Sequence, residues 1–237
     1  YEMLRSLVGS EMCIRDSAQL SYNYANEVIE SNQFSLLSRS TFMTYNELAP
    51  DAASQTETIF AVKFIASDWD DWGSPLGSMY AEIDGQGWGE VYASAKYMDL
   101  LHETGKNTDA REAFIHPQYK KNDAGDQIPA FRFVANLYTD GKISGYVYRQ
   151  GETKEVGGKL IATVDDEEYT LTPVDVDNKR YSISYKGKTY VGDYDYLMLE
   201  SQGNPKFYSY KCSKQEGYPH LYSPVISRLG ELYLIRA

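Results

Sequence analysis

Cysteine and histidine are scarce in this chain of 237 residues: two cysteines, Cys13 and Cys212, and three histidines, His102, His116 and His220. Two thiols make one disulfide at most, so no disulfide framework organises the fold. The histidines are scattered and form no zinc-binding spacing. No stretch approaches the ~18 consecutive apolar residues of a membrane-spanning helix. A Gly-x-Ser-x-Gly elbow, a phosphate loop and a dinucleotide fingerprint are all missing, and Gly157-Gly158-Lys159 is too short to stand for one. Nothing calls for a cofactor. Basic charge is also short: 23 Lys and Arg against 34 Asp and Glu leave a net charge of −11. That balance argues against nucleic acid, or an anionic membrane surface, as a partner of a basic face.

What the chain has in excess is tyrosine, 22 residues of it. Tyrosine suits half-buried strands, and it stacks on apolar ligand faces while its hydroxyl stays hydrated. Apolar residues at helical spacing predict a helix over residues 18–31, capped by Ser17, with Leu20, Tyr24 and Val28 on one face. Ser31-Asn32 ends it. Residues 58–65 are β-branched and apolar, the pattern of a buried strand. Residues 66–89 form a long loop rich in glycine and tryptophan, and loops of that length are commonly functional. Ser94 caps a second helix to about residue 103, and Gly105 stops it. A shorter helix follows at 108–115. From residue 116 the pattern becomes short strands, at 130–135, 145–148, 160–164, 169–171, 181–185, 189–192 and 207–210. Lys186-Gly187 supplies a hairpin turn. At the end, Ser223 and Pro224 read as N-cap and first helical position, with Val225, Ile226, Leu229, Leu232 and Tyr233 on one stripe.

The richest chemistry lies in the loop. Trp69, Trp72 and Trp88 are the three tryptophans of the chain, and Asp68, Asp70 and Asp71 surround the first two. Flat sugar faces stack on aromatic rings and sugar hydroxyls donate to carboxylates, so Trp69, Trp72, Tyr80, Asp68, Asp70 and Asp71 are the candidate ligand-binding residues. Read as a hydrolase, the aspartates would need to flank a sugar at ~5–9 Å separation, which adjacent loop residues do not establish. Asp175-Val-Asp177-Asn178 hints at a calcium loop but lacks the glycine and glutamate that such a loop needs. No metal site is assigned. Asp109 and Arg111 read as a cap or ion pair, and Arg228 with Glu231 as a pair across one turn.

Four stretches, in order, resemble the SusD/RagB family of outer-membrane nutrient-binding lipoproteins. Residues 18–37 (AQLSYNYANEVIESNQFSLL) are similar to its Tyr-Ala-x-x-Val-Ile helix, and 57–64 (ETIFAVKF) to its Glu-x-Ile-Phe-x-Val strand. Gly87-Trp88-Gly89 with 97–115 is similar to its Gly-Trp segment, helix and Asp-x-Arg. Residues 223–237 (SPVISRLGELYLIRA) are similar to its signature helix. Residues 116–206 match nothing in it.

The resemblance implies an α+β fragment: a helical frame of tetratricopeptide type carrying a β-hairpin-rich insertion. Its parts are a helical region 17–115 with the ligand loop 66–89, a β-rich insertion 116–222, and a truncated helix 223–237. Residues 1–16 fit neither the family nor the fold and resemble a translated sequencing adapter, a non-native tail. The implied function is non-catalytic: binding of an oligosaccharide at the cell surface and its delivery to a SusC-type TonB-dependent transporter. The implied location is the outer membrane, through a lipid-bearing cysteine upstream of Tyr1. A peptide-binding RagB-like protein, a secreted glycoside hydrolase and a helical scaffold are the alternatives.

Overall fold

The computed structural model describes residues 17–38, 55–64, 74–106, 108–212 and 218–237. The chain divides into two compact units. One comprises Tyr1–Ser78, Ile83–Gln86 and Cys212–Ala237, the other Met79–Glu82 and Gly87–Lys211.

In the first unit, helix α1 spans residues 17–30 and buries Ala25. The Ser31 hydroxyl donates to the Val28 carbonyl at 2.7 Å, and Asn32 takes a left-handed φ of 54°, which ends the helix as expected. Strand β1 (Thr58–Ala61) pairs antiparallel with strand β13 (Val225–Arg228). The terminal helix α4 is Leu229–Arg236, and helix α2 is Pro75–Tyr80, whose last two residues, Met79 and Tyr80, are counted with the second unit.

Two expectations fail here. The strand at 58–65 is not buried: Phe60 is 58% exposed, because a two-stranded sheet covers little. The C-terminal segment does not begin its helix at Ser223. Val225 and Ile226 are β-branched and find a strand partner, so they extend, and the helix begins only at Leu229. Ser223 is buried and its hydroxyl accepts the Phe64 N–H at 2.9 Å, while the Pro224 carbonyl accepts the Val62 N–H at 3.0 Å. Ser223 thus caps a neighbouring strand.

The second unit overturns the helical frame. Its main element is a curled seven-stranded antiparallel sheet, a half-barrel. The strands are β3 (Pro129–Thr139), β4 (Lys142–Val156), β5 (Lys159–Val164), β6 (Glu167–Thr170), β7 (Thr172–Asp175), β8 (Arg180–Tyr185) and β9 (Lys188–Tyr196), in the order β6-β5-β4-β3-β9-β8-β7. The reason is local. Four of its hairpins close with two residues at positive φ: Asp140-Gly141, Gly157-Gly158, Asp165-Asp166 and Lys186-Gly187. That is the turn whose twist matches the strands it joins, and Asp and Gly tolerate it best. Alternating inward residues then bury one face. Phe131, Phe133, Ala135, Ala162, Val164, Leu171, Ile183 and Tyr185 form that core. The sheet curls tightly where it carries no side chain: a Cβ at Gly151 would lie 1.8 Å from the Thr163 carbonyl oxygen, and one at Gly192 would lie 2.1 Å from that of Arg132.

The opposite face is covered by helix α3 (Ala95–His102). Its cap is as expected, the Ser94 hydroxyl accepting from the Tyr97 N–H at 3.2 Å. Met98 and Leu101 pack on Met198 and Phe207. Strand β12 (Phe207–Ser209) pairs with β2 (Ile115–Pro117), and the short hairpin of β10 (Glu200–Ser201) and β11 (Asn204–Pro205) precedes it. A 3-10 turn at Ala110–Phe114 stands in place of the expected shorter helix.

Beneath α3 lies a buried charge cluster. His102 is 3% exposed; its Nδ1 is 2.7 Å from Asp193 Oδ2 and its Nε2 is 2.8 Å from Glu112 Oε1. A neutral imidazole has one N–H to donate, so two carboxylate partners call for the doubly protonated ring. Burial alone would lower its pKa, but the hydrogen bonds and charges of Asp193 and Glu112 outweigh that and raise it. Arg180 donates from Nη1 to Asp193 Oδ1 at 3.3 Å, and Arg132 Nη1 lies 3.0 Å from Asp195 Oδ2. Burial would push the Asp193 pKa up, yet the His102 hydrogen bond and the Arg132 and Lys106 charges hold it at about 2.

The His102 pKa is raised on folding, so its contribution to stability is complete below its unfolded value of ~6.5. The contribution is lost as pH rises through the higher folded value. Urea midpoints measured from pH 5 to 9 are expected to fall on the alkaline side for the parent, and to be flat over that limb for His102→Gln. Parallel curves for the two proteins would remove His102 as the cause.

Candidate functional site

A pocket of about 280 Å³ lies on the second unit, lined by four aromatic rings: Tyr80, Tyr92, Tyr97 and Phe114. Val91, Ala93, Arg111, Ile115, Ser209 and Lys211 complete it. Residues far apart in sequence meet here through three backbone connections. The Met79 carbonyl accepts from the N–H groups of both Glu90 and Val91 at 2.9 Å, which holds residues 79–80 against residues 90–91 within the second unit. Ala93 donates to the Phe207 carbonyl at 3.0 Å. The β2–β12 ladder sets Ile115 opposite Ser209.

Each side chain is held differently. Tyr97 projects from the first turn of α3 and is 36% exposed. The Tyr92 hydroxyl donates to the Ser201 carbonyl at 3.3 Å, which holds that ring by its far end. Arg111 is set by Asp109, the expected cap and ion pair. The Asp109 carboxylate accepts from the Arg111 N–H and from its Nε, both at 2.9 Å. That hydrogen bond pushes the Arg111 pKa above its ordinary value, so the guanidinium stays charged at the pocket wall. Among the described residues, no carboxylate lines the pocket. The surface therefore offers ring faces with donors at the edge: two cations, one hydroxyl and the phenols of Tyr80 and Tyr97.

Tyr80 is the one proposed ligand residue that the described structure contains, and it is half-buried at the pocket wall. Trp69, Trp72, Asp68, Asp70 and Asp71 lie outside the described residues, as does the tail 1–16. Trp88 is 42% exposed and does not line the pocket. The sequence alone does not single out Tyr92, Tyr97 or Phe114 as ligand residues. Among 22 tyrosines nothing marks the ones that converge, because strand pairing and two carbonyl contacts bring them together. At the hinted calcium loop, the Asp175 carboxylate accepts from the Asn178 N–H at 3.1 Å and from the Asn178 side-chain amide at 2.7 Å, closing a turn. Among the described residues, no group of three or more His, Cys, Asp or Glu side chains is placed to hold a metal ion, and no helix is long and apolar enough to cross a membrane.

Gly89 governs the path of residues 88–91 into the pocket. Its φ is +55°, and a Cβ there would lie 2.6 Å from the Tyr208 hydroxyl oxygen and 2.7 Å from the ring carbon bearing it. Gly89→Ala is expected to lower stability by about 1–3 kcal/mol, through strain at positive φ and overpacking against a buried ring. Chemical denaturation measures it, and an unchanged midpoint would show that Tyr208 yields without cost. Comparison with known proteins adds no family to this geometry: no family model, no curated protein and no solved structure matches the chain.

Proposed function

We propose that this chain is a non-catalytic binding protein that takes an oligosaccharide in the pocket of Tyr80, Tyr92 and Tyr97. The observation that carries the proposal is the convergence of those rings with Arg111, Ser209 and Lys211 around one opening. Pyranose rings present a C–H face that stacks on an aromatic ring and hydroxyls that accept from Arg, Lys and Ser. A glycosidase would need paired carboxylates across the sugar, and none lines this pocket among the described residues.

The four stretches similar to the SusD/RagB family support a cellular setting for such binding. In that setting the protein is a surface-exposed outer-membrane lipoprotein that hands its ligand to a SusC-type TonB-dependent transporter. The helical frame that the resemblance implied is not part of this proposal.

A glycan array on the intact protein, followed by calorimetric titration with the strongest oligosaccharide, tests the reading. Tyr80→Ala and Tyr97→Ala are each expected to weaken binding about tenfold, which is ~1.4 kcal/mol and within reach of ring stacking plus lost apolar contact. Tyr97→Ala shifts the melting temperature little, since the ring is partly exposed. Array binding that neither variant weakens would move the site elsewhere. Incubation with polysaccharides is expected to release no reducing ends, and measurable hydrolysis would replace the binding reading with an enzymatic one.

A further inference from the structure

A second opening lies on the other flank of α3, and its chemistry differs. It is a cleft of about 600 Å³, within the range of about 300–1,000 Å³ typical of small-molecule sites. Lys96, Asp99 and Glu103 line it from α3 and the turn after it, Asn136 and Thr189 from the sheet, and Asp175 and Arg180 from β7 and β8. Where the first pocket is aromatic, this one is charged.

Arg180 is the telling residue. Its side chain is nine-tenths buried, with 9% exposed, and it lines the cleft. A guanidinium carries five N–H donors in a planar fork. Among the described residues it makes one hydrogen bond, to Asp193 at 3.3 Å, and one loose approach, Nη2 to Asp99 Oδ1 at 3.7 Å. A buried arginine normally saturates that fork, and a carboxylate taken side-on does so with two parallel bonds. Lys96 stands beside it, its Nζ 3.0 Å from Asp99 Oδ2. Asp99 thus lies between the two cations, and Asp193 pairs with Arg180 as well, so what the cleft offers is the unfilled donor capacity of the Arg180 fork beside the Lys96 ammonium.

The imidazolium of His102 also lines the cleft but is taken up by Asp193 and Glu112, and the charges left at the wall are negative. Glu103 is exposed at the cleft wall. Asp175 accepts two bonds from Asn178, and a carboxylate has lone pairs for more. Its pKa is lowered by those hydrogen bonds, so it stays ionised. A ligand with only a negative charge would meet Arg180 but be opposed by these carboxylates; one with only a positive charge would meet the reverse.

We propose that this cleft binds a small zwitterion, with its carboxylate on Arg180 and Lys96 and its amine toward Glu103 and Asp175. The site is separate from the tyrosine pocket and does not depend on the oligosaccharide reading.

Calorimetric titration of the intact chain with ω-amino acids, from glycine to 6-aminohexanoate, tests it, with acetate and methylamine as single-charge probes. At least one ω-amino acid is expected to bind at least tenfold tighter than either control. Glu103→Gln, an exposed position, is expected to weaken that amino acid several-fold while leaving acetate unchanged, and Lys96→Gln to weaken both carboxylate probes. Arg180→Lys is expected to abolish binding. Because Arg180 also touches Asp193, its melting curve is recorded alongside, and the Glu103 and Lys96 variants decide the matter if it unfolds. Acetate binding as tightly as every ω-amino acid, no binding of any probe, or a Glu103→Gln protein that discriminates as the parent does would each overturn the proposal.

Discussion

The second unit is organised around one buried carboxylate. Asp193 is 6% exposed and stands among His102, Arg132, Arg180 and Lys106. Taking such charges out of water is expensive, and their mutual attraction offsets the cost only where geometry and hydrogen bonding are good. The cluster is thus weak evidence for stability and stronger evidence for position. Asp193 is on β9, Arg132 on β3, Arg180 on β8 and His102 on α3. Three strands and one helix are tied at a point, and the helix cannot slide along the sheet without leaving a charge unmatched.

The sheet obeys a different constraint. Each of four hairpins turns in two residues at positive φ, so successive strands fall side by side with the natural right-handed twist. Tight turns alone would give a twisted but open meander. Curling follows because the inward face alternates large rings with small residues, Phe131 and Phe133 against Ala135, Ala162 and Gly192, and the glycine positions allow backbone to approach side chain closely. The charged cluster sits on the other face, where the outward residues Arg132 and Asp193 alternate with the core residues Phe131, Phe133 and Gly192.

This division explains what was legible in the sequence. Features decided within a few residues were readable: the Ser94 cap, the Asn32 stop, the Asp109–Arg111 pair, the Lys186-Gly187 turn, and most strands between 129 and 209. Features decided by distant partners were not. Val225 and Ile226 carry a helical stripe, but Thr58–Ala61 offers a ladder and the segment extends. His102 reads as an isolated histidine because its partners are 10 and 91 positions away. The half-barrel was hidden for the same reason. Its strands were visible, whereas the β3–β9 pairing that joins the two meanders links residues about sixty positions apart. The tyrosine pocket was half legible: Tyr80 stands in the tryptophan-rich stretch, and its companions needed the β2–β12 ladder to be placed.

Helix α3 is where these constraints meet the two openings. Eight residues are too few for a helix to hold itself in water. Its order comes from the Ser94 cap at one end and the His102 clamp at the other, with Met98 and Leu101 packed between them. Successive residues on a helix point about 100° apart. So Lys96 and Tyr97, neighbours in sequence, line different openings: Lys96 the charged cleft and Tyr97 the aromatic pocket. A rotation of the helix by one residue would carry a tyrosine toward the cleft and a lysine away from it. The buried His102–Asp193 contact prevents that rotation, because any turn that moves Lys96 also swings the imidazole away from two carboxylates. The two openings are therefore kept chemically distinct by a charge pair that lies beneath the helix between them.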